Sequence, residues 1–187
     1  PRSTLEAVLD DYRPRGIDQI VTDDPAVAEK AAGIAPVQVI PDNLLTICKI
    51  ESQLKKAQER RVWLSSGGTL VIDPCEAMTV IDVNTAKFTG KRELEDTVLR
   101  LNLEACGEIA RQVRLRNLSG IIIIDMIDMK TPEHRQMVLD ALAEAFASDR
   151  VKTVIHGLTS LGLVEMTRKR SRPPLKEMLA KQEEAHE

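Results

Sequence analysis

Four consecutive isoleucines, Ile121 to Ile124, follow Ser119-Gly120 and lead into Asp125-Met126. β-branched side chains are stiff at χ1 and suit a pleated surface. A run that is apolar at every position, not at every second one, belongs to a strand buried on both faces, in the middle of a sheet. The sheet is therefore organised around residues 121–126. With 187 residues and 43% hydrophobic content, the chain can build one large domain or two small ones with a genuine core.

The flanking patterns supply the other elements of an α/β fold with a mixed sheet. A short amphipathic helix is expected over 4–12, a strand over 16–21, a helix from Asp23-Asp24-Pro25 to about Ala32, and a strand over 37–40. Residues 43–60 read as one helix with Leu44, Ile47, Cys48 and Leu54 on its apolar side. A meander follows: residues 61–64, the turn Ser65-Ser66-Gly67-Gly68, a strand over 69–73, a turn, and a strand over 78–84. Lys87 to Lys91 reads as a loop. A long helix is expected from Glu93 to about Arg116, with Val98, Leu101, Ala105, Ile109 and Val113 at helical spacing. After the isoleucine strand come a helix from Thr131-Pro132 to about Ala147, strands over 151–156 and 163–167, and a polar helical tail from Leu175.

Two segments carry the functional signal. In Ile81-Asp82-Val83-Asn84, Asp82 and Asn84 lie two apart on a strand and so point to one face. Asp125 ends the central strand, where α/β proteins place their sites. Two carboxylates and an amide oxygen converging from neighbouring strands are hard ligands suited to Mg²⁺, and the same set admits Mn²⁺. Such an ion would activate water against a phosphodiester. The plain alternative is that Asp82 and Asp125 only cap the turns after their strands. Asp128 would face away from Asp125 on a continuing strand and would then support a neighbour, joining the site only if the chain turns at Met126. His134, in the first turn of its helix, is a candidate to orient or exchange protons nearby, and Glu76 is a weaker one. His156, at a strand end, reads as structural, and His186, in the tail, as irrelevant to the site.

The net charge of −3 hides an asymmetry: between Arg150 and Lys176 stand seven basic residues and one acid, Glu165. Arg150, Lys152, Arg168, Lys169 and Arg170, with Lys87, Arg114 and Arg116 elsewhere, are the candidate contacts to the phosphates of a polyanion, the plain alternative being ordinary solvated charge. Aromatics make up 2% of the chain (Tyr12, Trp63, Phe88 and Phe146), which excludes an array of stacked bases. Cys48, Cys75 and Cys106 are too widely spaced for a zinc site or a disulfide framework, so buried reduced thiols in a cytoplasmic protein are expected. No stretch approaches a membrane span, and no phosphate-binding Gly-rich loop or Gly-x-Ser-x-Gly elbow is present. The chain opens on Pro1, as a piece of a longer protein would.

Read in order, Ser66-Gly67-Gly68-Thr69-Leu70-Val71-Ile72-Asp73, Ile81-Asp82-Val83-Asn84, Asn102-Leu103-Glu104-Ala105, the stretch from Glu108 to Asn117, that from Asp125 to Met129 and Gly162 to Arg170 resemble the catalytic region of the ribonuclease E/G family. The match runs from about Glu51 to Leu175. The resemblance implies a degenerate ribonuclease-H-like subdomain over 1–60, a deoxyribonuclease-I-like catalytic subdomain over 61–175, and a polar tail over 176–187. It implies that Asp82 and Asp125 hold the catalytic Mg²⁺ while Asn84 positions the attacking water or the phosphate. The implied activity is endonucleolytic cleavage of single-stranded RNA, leaving 5′-phosphate and 3′-hydroxyl ends, in RNA processing and decay, with a homodimer through the catalytic subdomain. Nothing here matches the S1 and 5′-sensing modules that the family carries. No Cys follows Arg170 to Leu175, so no zinc link is expected. Two rivals remain open: a non-catalytic RNA-binding or scaffold module, which would bind metal and RNA without turnover, and a metal phosphodiesterase acting on other nucleic acid or small substrates.

Overall fold

The structure is a computed structural model that describes residues 3–13, 16–85 and 94–184. The chain divides into two compact units, Pro1–Lys55 and Lys56–Glu187.

In the first unit, α1 (Thr4–Tyr12) begins with a capping box. The Ser3 hydroxyl accepts from the Glu6 amide at 3.3 Å, and the Glu6 carboxylate accepts from the Ser3 amide at 2.8 Å. Strands β1 (Ile20–Thr22) and β2 (Val37–Val39) pair in parallel around α2 (Pro25–Ala31), whose first turn is capped by Asp24. The expected helix over 43–60 is not continuous. It is replaced by α3 (Leu44–Ile47) and α4 (Ile50–Lys56), separated by Lys49 with φ of +54°. Neither helix buries a residue, so no packing energy enforces one long helix against that break.

The second unit is built on a six-stranded mixed sheet. Strands β3 (Arg61–Trp63), β4 (Thr69–Pro74) and β5 (Met78–Asn84) form the expected antiparallel meander. Helix α5 (Leu94–Leu115) then crosses over to β6 (Gly120–Asp125), which pairs in parallel with β5. Helix α6 (Pro132–Phe146) leads to β7 (Thr153–Leu158). β8 (Val164–Arg168) folds back antiparallel and inserts between β6 and β7, before the terminal α7 (Leu175–Glu184). The strand order is β3-β4-β5-β6-β8-β7, so the isoleucine strand is indeed central.

Alternate residues of the sheet, including Leu70, Ile72, Ile81, Ile122, Ile124 and Met166, are fully buried in one cluster with Leu101, Ala105, Ile109 and Val113 of α5 and Leu142 of α6. The opposite face of β6 does not match the expectation of double burial. Ile121 is 47% exposed and Ile123 is half-buried. Of the thiols only Cys106 is buried, and burial pushes it up to about 12. Cys48 and Cys75 are exposed, correcting the expectation that all would be buried, because neither stands on a core-facing position. No helix among the described residues is long and apolar enough to cross a membrane.

At one end of the sheet sits a buried ion pair. Arg168 and Asp149 have side chains only 4% and 3% exposed and meet at 2.8 Å. The Arg168 guanidinium also donates to the Asn117 side chain at 2.9 Å and to the Leu118 carbonyl at 3.0 Å. Burial pushes the Asp149 carboxyl up, but the Arg168 bonds and the Val151 amide outweigh it and hold the carboxyl below its ordinary value. A lowered folded pKa means stability that is present above the unfolded value of 3.8 and is lost as pH falls through the folded one. In urea titrations at neutral pH, Asp149→Ala is expected to cost about 3–5 kcal/mol, because Arg168 is left buried and unpaired. The deficit relative to wild type shrinks once pH drops below 3.8.

Candidate active site

The β5–β6 register places Asp82 directly beside Asp125, strand to strand, about 4.8 Å apart in backbone spacing. Both stand on the sheet face opposite α5, since their neighbours Ile81, Val83 and Ile124 point into the core. Two residues on from Asp82, Asn84 donates its side-chain amide to the Asp82 carboxylate at 2.7 Å. That bond uses the amide NH₂ and does not consume the amide oxygen.

Asp82 and Asp128 both act on Asp125. The Asp125 carboxyl is raised above its ordinary value, first by the desolvation of its strand-end position and then by the charges of Asp82 and Asp128. Among the described residues no ion pair is formed by Asp82, Asp125 or Asp128. Arg60 adds a longer-range attraction to Asp82, but its guanidinium is bonded to Asp73, one contact being 2.7 Å. Among the described residues no three His, Cys, Asp or Glu side chains cluster as a ready-made metal cage. The donor set for a divalent ion is thus two carboxylates and one amide oxygen. That suits Mg²⁺, which binds through one or two carboxylates and otherwise keeps water.

Asp125 does feel the charge of Asp128, and β6 ends at Asp125, so the expectation of a strand continuing to Asp128 does not hold. The cap of α6 is Thr131, whose hydroxyl accepts from the His134 amide at 3.3 Å. His134 shares a small cleft with Asp128, Glu95 and Lys130, and so lies beside the acidic end. Lys87 lies outside the described residues.

The basic residues are elsewhere. Because β8 runs antiparallel to β6, Arg168 pairs with Gly120, at the far end of β6 from Asp125, roughly 16 Å along the strand. Lys169 hydrogen-bonds through its backbone to Lys152, so these two exposed residues share that far end, and Arg170 lies over Gly120. Arg168 is corrected from a phosphate contact to a structural group: it is buried and hydrogen-bonded to Asp149, Asn117 and Leu118. Arg116 is likewise buried, with its Nε donating to Gln112, although its Nη2 has no partner among the described residues. Arg114 donates to the Ala145 carbonyl and so ties α5 to α6. Arg150 has an interaction of its own and is exposed. The basic block therefore does not surround the acidic pair.

Two residues matter here that the reading of the chain did not single out as site residues. Asn102 is fully buried. Its amide donates to the Ile127 carbonyl at 2.9 Å and its oxygen accepts from the Ile127 amide at 3.1 Å, clamping the segment that follows Asp125. The available signal was a polar side chain on the apolar stripe of α5, between Val98 and Ala105. Glu104, one turn from Leu101, accepts from the Ser65 and Ser66 amides at 2.6 and 3.3 Å and holds the β3–β4 turn. Gly68 is needed in that turn, because a Cβ there would meet Leu101 Cδ1 at 2.9 Å and the Asn84 carbonyl at 3.0 Å.

The fold and the site define the class as a mixed α/β, nuclease-like core with an acidic strand-end centre. The chain matches the ribonuclease E/G family over residues 2–171 and belongs to it. Ribonuclease G of Escherichia coli (strain K12) is 54% identical over 130 residues, covering 70% of this chain and 27% of that protein. Ribonuclease G of Salmonella typhimurium (strain SL1344) is 55% identical over the same length. Ribonuclease E of Escherichia coli (strain K12) is 41% identical over 179 residues, covering 89% of this chain and 17% of that protein. The chain thus spans about a quarter of the ribonuclease G relatives and less of ribonuclease E.

Replacing Asn102 by Ala strands both backbone groups of Ile127. Thermal or urea unfolding should show a loss of about 2–3 kcal/mol.

Proposed function

We propose that this chain is the catalytic core of a Mg²⁺-dependent endoribonuclease that cleaves single-stranded RNA to 5′-phosphate and 3′-hydroxyl ends in RNA processing and decay. The observation that carries the reading is the in-register pair Asp82 and Asp125, with Asn84 bonded to Asp82 on the same face. Family membership supports it, as do relatives named for ribonuclease activity. In this reading residues 61–175 are the deoxyribonuclease-I-like part and residues 1–60 the ribonuclease-H-like part, and the protein works in the cytoplasm.

The two carboxylates repel one another and would repel a phosphate, so a divalent cation held between them relieves both conflicts. Mn²⁺ can replace Mg²⁺ on the same donors. When bound, the ion supplies polarisation of a phosphoryl oxygen and a lowered pKa for water. Asp82 and Asp125 hold that charge at one point on the sheet, and Asn84 fixes the rotamer of Asp82. Asn102 keeps the segment after Asp125 from drifting, which preserves the geometry on which positioning depends. Attack of water on phosphorus with departure of the 3′-oxygen leaves the two ends named above.

The test is incubation of the 187-residue chain with a 5′-monophosphorylated, A/U-rich fluorescent RNA, with Mg²⁺ or with EDTA. Cleavage is expected only with Mg²⁺. Asp82→Asn and Asp125→Asn should each lose more than the roughly 10–100-fold that outer-sphere changes cost. The stability of the metal-free protein should move the other way. A carboxyl whose folded pKa is raised destabilises the fold increasingly as pH rises through that pKa. Asp125→Asn is therefore expected to melt no lower than wild type in EDTA at neutral pH. RNA left uncut in every tube would overturn the enzymatic reading.

A further inference from the structure

The register of the meander continues the acidic site sideways into a cleft of about 530 Å³. Arg61 pairs with Val71, Val71 with Asp82, and Asp82 with Asp125, so these four residues form one row across the sheet. Trp63 pairs with Thr69 and Thr69 with Asn84, forming the next row. Directly paired residues, and residues two apart on a strand, share a face. Arg61 and Trp63 therefore stand on the same side of the sheet as Asp82 and Asn84, about 10 Å away across two strand spacings. All of these except Asp125 line the cleft, together with Arg60 and the turn residue Gly67.

Trp63 is 67% exposed. On this edge strand the large ring is left mostly in water and contributes little burial to the core. In the larger unit Phe146 is buried and Phe88 lies outside the described residues, so Trp63 is the one exposed aromatic ring described there. The cleft is cationic on its β3 side through Arg61, Arg60 being paired with Asp73, and anionic on its β5 side through Asp82. Its floor between them is Thr69 and Val71. A flat aromatic face beside a cationic group fits one partner chemistry well: an unpaired nucleobase with its adjoining phosphates. The Glu104 bonds to Ser65 and Ser66 hold the turn that closes this side of the cleft.

We propose that the cleft is a nucleotide subsite in which Trp63 stacks on a base flanking the scissile phosphate and Arg61 contacts the neighbouring backbone phosphate. The proposal rests on the endoribonuclease reading for its placement next to the scissile bond. It adds a substrate-positioning residue and a physical basis for selecting single strands, because a base paired and stacked in a duplex cannot offer its face to Trp63. One platform also accords with the chain's poverty in aromatics, since a single ring fixes one base and leaves the rest of the strand to backbone contacts.

Trp63 is the only tryptophan of the chain, so its intrinsic emission reports on this position alone. The full chain in EDTA is titrated with a short single-stranded RNA while RNA anisotropy is followed in parallel. Quenching of Trp63 emission that tracks the anisotropy curve is expected, and a duplex of the same sequence should give none. Trp63→Ala should weaken single-strand binding about tenfold, the scale of one stacked base, while Trp63→Phe retains most of the affinity. Arg61→Ala should reduce the salt slope of binding by about one. Circular dichroism melting of each variant shows whether the fold is kept. RNA that binds by anisotropy with Trp63 emission and Trp63→Ala affinity unchanged overturns the subsite and leaves the nuclease reading standing. Quenching by RNA that wild type then fails to cleave in Mg²⁺ overturns the nuclease reading and leaves a base-binding cleft. No binding at all overturns both.

Discussion

The pairing of β5 with β6 is the constraint on which the site depends, and it is set by the core, not by the acids. Thr79 lies beside Ile122 and Ile81 beside Ile124, all four buried against the α5 side of the sheet. Because side chains alternate faces, a slip of one residue would carry those isoleucines into water and drive Asp82 or Asp125 into the core. Burying one such residue is worth about 1.5–3 kcal/mol, so the three isoleucines together outweigh the roughly 4 kcal/mol that two neighbouring carboxylates near a protein surface can set against them. The hydrophobic register therefore holds the two carboxylates together even though their charges favour separation.

That conflict is stored locally and braced locally. Asp125 is raised by desolvation and by Asp82 and Asp128, the signature of a group held where its charge is not welcome. Asn84 satisfies one oxygen of Asp82, and Asn102 pins the backbone just past Asp125 from inside the core. These braces are amides, which fix position without cancelling charge. A lysine in place of Asn84 would instead have cancelled one of the negative charges and weakened the attraction of the site for a cation.

Much of this was legible in the chain because it is governed by short periods. The alternation in Ile81-Asp82-Val83-Asn84 puts Asp82 and Asn84 on one face. The isoleucine run marks a central strand, and the apolar spacing from Val98 to Val113 marks α5. What was not legible depends on topology. Residues 150–172 look like one basic patch, yet the insertion of β8 between β6 and β7 sends Lys152, Arg168 and Lys169 to the end of the sheet away from Asp125. Nor could composition show that Arg168 has a buried partner in Asp149, 19 residues earlier. The break at Lys49 escaped because a left-handed residue leaves no mark on hydrophobic periodicity.

The two ends of the sheet consequently solve opposite electrostatic problems. At the Gly120 end, Arg168 is neutralised by Asp149, and Asn117 donates to the Arg172 and Pro173 carbonyls, tying the segment that leads into α7 down onto the end of α5. The Arg168 charge drawn into the interior there is matched by Asp149, as a buried charge needs to be, whereas the buried Arg116 donates through Nε to Gln112 and leaves its Nη2 without a partner among the described residues. At the Asp125 end, charge accumulates without a match and the face stays open. Arg60 is bonded to Asp73, which leaves Arg61 as the β3 cation in the Asp82 row. An acidic pair on strands next to one another, with the Arg61 cation two strands away, sets a gradient of potential across a short distance. A polyanion can lie along that gradient only if its backbone meets the arginine side while a cation covers the aspartates. The mixed sheet, with β5 and β6 parallel and β3 to β5 antiparallel, brings both halves of that gradient onto one face.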